Sequence, residues 1–276
     1  MKHNLPLLAP LLLALALPMT APAAPPADKG AGALPADPTE DPLLITAGFL
    51  SGHPDLRFRM LGMEKRTAGN QEAAFKYFQR AAFYADKPSQ AMVAEMLWNG
   101  TGTPADRAQA YAWMDLAAER GYEGFVELRE RYWAALTPEQ REQAIAEGEA
   151  IYARFGDAAA KPRIATVLRR ERRAVTGSRT GFTGNLRIMV PGPAGPEEID
   201  GSKFYDDRYW DPDKYQQWHD AIWAKPRVAR VDVGPLSKVT GEPDRKTRIS
   251  EVSPDPDARE PVTDDEPPTP PVPKKP

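Results

Sequence analysis

The chain has 276 residues, with 36 lysines and arginines against 39 aspartates and glutamates, a formal charge of −3. This balance argues against nucleic acid as a partner, because nucleic-acid binders carry a basic excess. The absence of cysteine excludes disulfide bonds, thiolate metal sites and a cysteine nucleophile. The 30 prolines, about twice the average usage, predict that part of the chain is irregular.

The first residues have the pattern of a secretory signal. Lys2 supplies the positive start, an apolar run extends from Leu5 to Leu17, and Ala21-Pro22-Ala23 places small residues at the cleavage-determining positions. We therefore predict a signal peptide over residues 1–23, cleaved after Ala23. The run is shorter than the about 20 residues that span a bilayer. The processed protein is thus expected to be periplasmic or secreted, and not an integral membrane protein.

Two segments have compositions that do not favour a buried core. Residues 24–40 consist mainly of Ala, Pro, Gly and Asp and predict a flexible linker. Residues 235–276 predict a disordered, proline-rich tail, with nine prolines from position 252 onward. The tail is interpreted as a solubilising spacer, or alternatively as an extended chain that docks in a groove.

Between these segments, residues 41–174 show helical periodicity. One apolar stripe at i, i+3, i+4, i+7 and i+8 recurs after 36 residues without a gap. Such a period is typical of an array of helix pairs, in which each pair buries its stripe against the next. The two stripes are Ala74, Tyr77, Phe78, Ala81 and Ala82, and then Ala110, Trp113, Met114, Ala117 and Ala118.

Helix start and stop signals agree with this period. Pro88-Ser89 predicts a helix start, and Thr137 with Gln140 forms a capping box that begins a helix through about Phe155. A faint third stripe is predicted on that helix at Ala146, Ala150 and Ala153, with Glu149 in the aromatic position. We interpret it as a capping helix with one polar face.

The second copy carries a recognisable series: Trp98, Gly100, Gly102, Asp106, Ala110, Trp113, Ala117, Ala118 and Gly121, preceded in the first copy by Ala74, Tyr77, Ala81 and Ala82. This series resembles the Sel-like repeats, relatives of the tetratricopeptide repeat, and the resemblance covers about residues 54–135. The resemblance implies a right-handed superhelix of antiparallel helix pairs, used as an adaptor surface in export, envelope or signalling complexes. Thr103 replaces the usual Val, and the first copy lacks the Gly-x-Gly turn.

Residues 176–234 predict a small β-β-α-β module. Leu186, Ile188 and Val190 alternate as in a strand, residues 197–200 predict its partner, and residues 227–233 a third strand. Between them Asp211-Pro212 predicts a helix start. The predicted fold class is therefore α+β, mainly α: a short superhelix of helix pairs with a small C-terminal β-containing module.

Two groups of residues are candidate binding sites. The module is rich in aromatic residues, which form either its core or a stacking surface for sugars or proteins. Tyr209 and Trp210 lie outside the helical stripe and are expected to be the most exposed of them. Arg169, Arg170 and Arg173 belong to a basic run, either a solvated helix face or a contact for an anionic wall polymer or lipid.

The sequence suggests no catalytic residue, metal site or cofactor. The carboxylates between Asp206 and Asp213 lack the spacing of a calcium loop and are better explained by helix capping. His219 and Asp220 are neighbours on a helix and point in different directions, so they do not form a dyad. His219 is interpreted as a residue of the surface or of the edge of the core.

Three functions remain open at this stage. The favoured hypothesis is a non-enzymatic adaptor of the bacterial envelope that binds a protein or peptide on its repeat surface. The alternative is a peptidoglycan-binding protein, hydrolase or inhibitor with its site in the aromatic module. The third is a structural envelope protein without a discrete ligand.

Overall fold

The computed structural model of the protein describes residues 37–176, 186–192, 195–224, 246–249 and 252–263. The predicted signal peptide, most of the predicted linker and the predicted third strand lie outside these residues. Within them, no helix combines the length and apolar character needed to cross a membrane. The helices are α1 (Pro42–Thr46), α2 (Pro54–Thr67), α3 (Gln71–Phe83), α4 (Lys87–Asn99), α5 (Arg107–Ala117), α6 (Glu123–Ala135), α7 (Pro138–Phe155), α8 (Asp157–Thr176), α9 (Gly201–Phe204), α10 (Asp207–Trp210) and α11 (Pro212–Trp223).

The mainly helical fold class is confirmed, and the helices of the repeat region pack in consecutive pairs. Helix α2 packs on α3, α4 packs on α5, and α5 also contacts α6 and α7. Small alanines permit close packing of the helices, while the aromatic residues between them fill the wider gaps. The two predicted stripes are buried along their whole length: Ala74, Tyr77, Phe78, Ala81 and Ala82 on α3, and Ala110, Trp113, Met114, Ala117 and Ala118 around α5.

Side-chain caps set the starts of the repeat helices. The Asp86 carboxylate accepts a hydrogen bond from the Ser89 amide at 3.1 Å, so α4 begins at Lys87. Asp106 caps α5 in the same way through the Gln109 amide. The capping box of Thr137 with Gln140 is present in both directions at the start of α7. These contacts satisfy amide groups that have no partner within the helix.

The Gly-x-Gly turn between α4 and α5 packs against the first repeat. Gly102 has a φ of +74°, and a Cβ built there would lie 2.3 Å from the Gln71 carbonyl oxygen at the start of α3. Only glycine combines this backbone conformation with such a close approach. Gly121, with a φ of +69°, has open space around it and serves only the helix end. Gly102 therefore has a second role, which is to bring the α4–α5 turn against the first repeat.

The predicted third stripe is wrong in its register. Ala146, Ala150 and Glu149 are exposed, and Ala153 is half-buried. Helix α7 instead buries Ala144, Gly148, Tyr152 and Phe155. The alanines follow the spacing of the first two copies, but α7 turns a different face to α5. The glycine in that buried face makes room for a residue from the C-terminal segment.

A two-stranded antiparallel sheet follows α8. Strand β1 (Arg187–Gly192) pairs with β2 (Gly195–Asp200), and Ile188 lies opposite Ile199. Ile188 and Val190 are buried while Met189, between them, is 59% exposed, as the predicted alternation requires. The first two strands and the helix of the predicted module are thus present.

The described part of the module shares one core with other segments. Ile188, Ile199 and Trp210 pack with Phe49 from the N-terminal region and with Leu168 of α8. A two-stranded hairpin has too little apolar surface to support a core by itself. The aromatic module therefore depends on α8 and on residues near α1 and α2.

The C-terminal segment is partly ordered against the repeats. Ile249 is only 1% exposed and packs in the core between α5 and α7. Further along, Arg80 of α3 donates a hydrogen bond to Glu260 at 2.7 Å. These residues fall within the stretch predicted to be a disordered tail. The structure instead places residues 246–249 and 252–263 on the helical surface.

Candidate functional site

A cleft of about 780 Å³ is the best candidate binding site. Helices α2, α4 and α6 supply more than half of its lining residues, and α11 supplies a further wall. The lining residues are Asp37, Thr39, Arg59, Met60, Met63, Phe78, Pro88, Ala91, Met92, Glu95, Met114, Phe125, Leu128, Tyr132, Trp218, His219, Ile222 and Trp223. Its size falls within the range of pockets that enclose a ligand.

Four of the eight methionines of the chain line this cleft: Met60, Met63, Met92 and Met114. Met63 is 46% exposed, which is high for a large apolar side chain. Methionine is unbranched and polarisable, so it adapts to apolar groups of different shape and is common on protein-binding surfaces. The cleft is therefore suited to apolar side chains rather than to a charged ligand.

Helix α11 forms one wall of the cleft. The ring of Trp223 stacks on Phe125 of α6, with the ring centres 5.8 Å apart. Tyr122, just before α6, donates a hydrogen bond to Asp220. Arg120 lies 3.7 Å from the same carboxylate. The C-terminal module thus closes one side of the repeat surface.

A buried polar cluster positions α11 on α2. The Asp55 carboxylate accepts a 2.6 Å hydrogen bond from the Tyr215 hydroxyl and lies 3.4 Å from Nε2 of His219. Although burial alone raises the pKa of Asp55, its contacts with His219, His53 and Tyr215 lower it overall. His219, which lines the cleft, is buried, so the expected edge-of-core position is correct. Its acidic partner is Asp55, and not its chain neighbour Asp220.

His53 adds a second connection between the N-terminal region and the aromatic module. Its Nδ1 lies 2.8 Å from the Phe49 carbonyl oxygen, and its Nε2 lies 2.8 Å from that of Tyr209. Burial lowers the pKa of His53. Within the described residues, no group of three or more His, Asp or Glu side chains is arranged to hold a metal ion. The cluster is thus explained by its structural role.

The expected exposure of Tyr209 and Trp210 is wrong. Tyr209 is 4% exposed and Trp210 is 3% exposed. The Trp210 indole donates a 2.6 Å hydrogen bond to the Phe204 carbonyl oxygen and packs edge-on against Phe49. Gly52 leaves room for this ring, since a Cβ there would lie 2.5 Å from it. Both residues belong to the core because side chains of the N-terminal region pack against the module.

The predicted arginines are together, but they do not line the cleft. Arg169, Arg170 and Arg173 lie with Thr166 on one exposed face of α8, around a shallow cavity of about 590 Å³. Arg170 forms an ion pair with Glu171 at 2.8 Å. The two groups of predicted binding residues therefore do not form one site, since one group is exposed and the other is in the core.

The cleft itself was missed from the sequence, although one signal for it was present. Met60 and Met63 on α2, and Met92 on α4, lie outside the alanine stripes that mark the packed faces. A surplus of methionines on the helix faces left free by packing indicates an adaptable apolar surface. The contribution of α11 could not be found in this way, because it depends on contacts between distant parts of the chain.

Paired helices around a concave apolar cleft define a helical-repeat scaffold for protein interaction. Comparison with known proteins gives the repeat type: the Sel1 repeat family model matches residues 60–82 and 87–122. The matched segments lie in α2–α3 and in α4–α5 with the turn after it, and they confirm the sequence resemblance to Sel-like repeats over this part of the chain. No curated protein matches the chain, and no solved structure matches it.

Proposed function

We propose that the protein is a non-enzymatic adaptor of the cell envelope that binds an apolar segment of a partner protein in the methionine-lined cleft. The observation that carries this proposal is the placement of four methionines from α2, α4 and α5 in one open cleft on Sel1 repeats. Flexible apolar side chains on a helical array suit a peptide whose bulky side chains insert between the helices.

The charged groups at the cleft limit which kind of partner segment can bind. Arg59 is paired with Asp86 at 2.7 Å, and Arg66, near the cleft, is 3.4 Å from Glu95. These basic groups are already neutralised by acidic neighbours. Recognition therefore depends on apolar burial, and an amphipathic segment with Leu, Met or aromatic anchors is the expected ligand class.

Site-specific photo-crosslinking tests the cleft. Benzoylphenylalanine at Met63 is expected to give one discrete protein adduct in an envelope extract, because this side chain is at the mouth of the cleft. Met189 is a matched control, since it is an exposed methionine on β1 and does not line the cleft. The readout is mass spectrometry of each crosslinked band.

A second variant connects the adduct with the cleft. Met92→Glu places a carboxylate in the apolar lining, beside the Arg66 guanidinium that contacts the Met92 sulfur at 3.7 Å. It is expected to reduce the Met63 adduct at least about tenfold, because an apolar ligand segment would cover this charge without solvating it. Near-ultraviolet circular dichroism checks that the fold is retained. Equal adducts from positions 63 and 189, or an adduct unaffected by Met92→Glu, would remove the support for a cleft ligand.

We also propose that the protein is exported, on the basis of the signal pattern in residues 1–23. The mature chain is expected to begin at Ala24. N-terminal sequencing and intact mass of the protein recovered from the periplasmic fraction or the medium check this. A chain that keeps Met1 and stays with the cytoplasmic fraction would contradict export.

The peptidoglycan alternative has less support. Sugar binding by stacking requires exposed aromatic faces, whereas Tyr209, Trp210, Tyr215 and Trp218 are all buried. The exposed arginines of α8 keep contact with an anionic polymer open as a secondary interaction. The adaptor proposal is preferred because a cleft of ligand size is present on the repeats.

A further inference from the structure

A short segment of the C-terminal region is bound to the repeats in the manner of a peptide ligand. The amides of two successive residues, Arg248 and Ile249, donate to the two oxygens of the Asp115 carboxylate at 3.2 and 3.3 Å. Asp115 is fully buried on α5. The chain bends at Arg248 and Ile249, so both amides point at one carboxylate, and this contact recognises the bent backbone whatever its side chains are.

The Arg248 side chain occupies a specific subsite. Its guanidinium donates to both oxygens of Glu130 at 2.8 and 2.6 Å and to the Tyr111 hydroxyl at 3.2 Å. It also lies over the Trp133 ring, 4.8 Å from the centre. Burial alone raises the pKa of Glu130, but hydrogen bonds from Arg248 and Arg129 lower this pKa overall. This two-point geometry selects arginine over lysine.

The Ile249 side chain fills a pocket made by a glycine. A Cβ at Gly148 would lie 2.3 Å from the Ile249 Cδ1 atom, so the isoleucine occupies the space that another residue on α7 would take. Tyr152 and Phe155 belong to the same buried cluster. The subsite is closed and apolar, and it accepts an aliphatic side chain.

The recognition groups are fixed by the repeats. The Tyr152 hydroxyl donates to Asp115 at 3.0 Å, and the fully buried Arg129 lies 3.5 Å from the same carboxylate. Arg129 also donates to the Lys246 carbonyl oxygen at 2.8 Å. Burial raises the pKa of Asp115, and these donors together with the segment's amides oppose that rise. The site thus consists of buried charges directed at a peptide backbone.

The site is separate from the methionine-lined cleft. Helix α6 presents Phe125, Leu128 and Tyr132 to the cleft. From other positions on the same helix, Arg129 and Glu130 contact the segment. The two sites can therefore be tested independently.

The segment buries few apolar side chains. In the described residues from 246 to 263, Ile249 is the one buried residue. Beyond it, Val252 and Ala258 are only partly buried. Other contacts are polar, such as the hydrogen bond from the Asp255 amide to the Ala153 carbonyl oxygen and the ion pair of Glu260 with Arg80. Segments with so little buried apolar surface open locally more easily than the core.

We propose that α5, α6 and α7 form a second peptide-binding site, specific for a bent segment in which arginine precedes a β-branched aliphatic residue. Arg248-Ile249 is its intramolecular ligand. A partner segment of the same chemistry binds when this ligand is released. Because the resident segment is tethered, its high local concentration keeps the site closed until a competitor or a change in the segment opens it.

A labelled peptide with the sequence of residues 244–253 tests this by fluorescence anisotropy against the full chain. The Ile249→Asp chain, whose own segment cannot enter the pocket, is expected to bind the peptide at least about tenfold more tightly than the unaltered chain. Arg248→Glu is a second releasing variant, since it opposes Glu130 without placing a charge in the core. A peptide carrying both changes is the control ligand and should not bind.

A blocking variant shows whether the peptide uses this site. Gly148→Leu combined with Ile249→Asp fills the aliphatic pocket and should abolish peptide binding, while circular dichroism confirms retained helix. If both releasing variants keep their fold but bind no peptide, or if Gly148→Leu leaves binding unchanged, the proposal is wrong. Crosslinking from position 63 reports on the cleft separately, so failure of one site is distinguishable from failure of the other.

Discussion

Trp210→Ala is expected to lower the free energy of unfolding by about 3–5 kcal/mol, the usual cost of removing a buried tryptophan. The ring is 3% exposed and packs against Phe49, Phe204 and Tyr205. Its loss leaves a cavity and also leaves the Phe204 carbonyl oxygen without the indole donor. Urea denaturation followed by circular dichroism measures the effect as a lower transition midpoint.

The matched control is the double variant Arg169→Ala with Arg173→Ala. Both side chains are on the exposed face of α8, so each change should alter stability by less than about 0.5 kcal/mol. The sequence predicts both these arginines and Trp210 as binding residues. The structure places the arginines on the surface and Trp210 in the core. A Trp210→Ala chain as stable as the arginine variant would mean that the aromatic cluster is not a core.

The repeat region could be predicted because its signals are local. The stripes of Ala74 to Ala82 and Ala110 to Ala118 report helix faces directly. The turn at Gly102 and the caps at Asp106 and Thr137 report helix ends. Each of these features depends on residues within a few positions along the chain, so one sequence is enough to identify them.

The position of the aromatic module could not be predicted in this way. Trp210 is buried because Phe49 and Gly52, far away in the sequence, meet it. The same limit applies to Ile249, whose surroundings predicted disorder by composition. Ile249 opposite Gly148 and the contacts of Arg248 with Asp115 and Glu130 hold the segment locally, and average composition does not detect such pairs.

The sequence predicts the kind of candidate site, but not the residues that form it. Sel1-type repeats predicted an interaction surface, and the cleft is where that surface is apolar and open. The residues that line the cleft also depend on two contacts between distant parts of the chain. Trp223 of α11 stacks on Phe125, and the Tyr215 hydroxyl donates a hydrogen bond to Asp55. Both are tertiary contacts, and the periodicity of a sequence does not predict them.

A buried ionic cluster at the start of α8 ties the second repeat to the helices that follow. Asp157 accepts hydrogen bonds from Arg120 at 2.7 and 2.9 Å and lies 3.2 Å from the buried Lys87 ammonium. Lys87 also donates to the Leu116 carbonyl oxygen and to Glu119. Burial alone raises the pKa of Asp157, but Lys87 and Arg120 hold this pKa well below its usual range. Its charged form therefore stabilises the folded chain.

Asp157→Ala is expected to cost about 3–5 kcal/mol, because it leaves buried cations without their shared partner. Lys161→Ala removes only an exposed member of the cluster and should cost less than about 1 kcal/mol. Since the folded pKa of Asp157 lies below its unfolded value of 3.8, the stabilisation is complete well above that pH and is lost as pH falls further. Urea unfolding of the unaltered chain and Asp157→Ala at pH 7 and pH 3 should therefore show a smaller difference at pH 3. An equal difference at both values would mean that the aspartate charge is not what stabilises this junction.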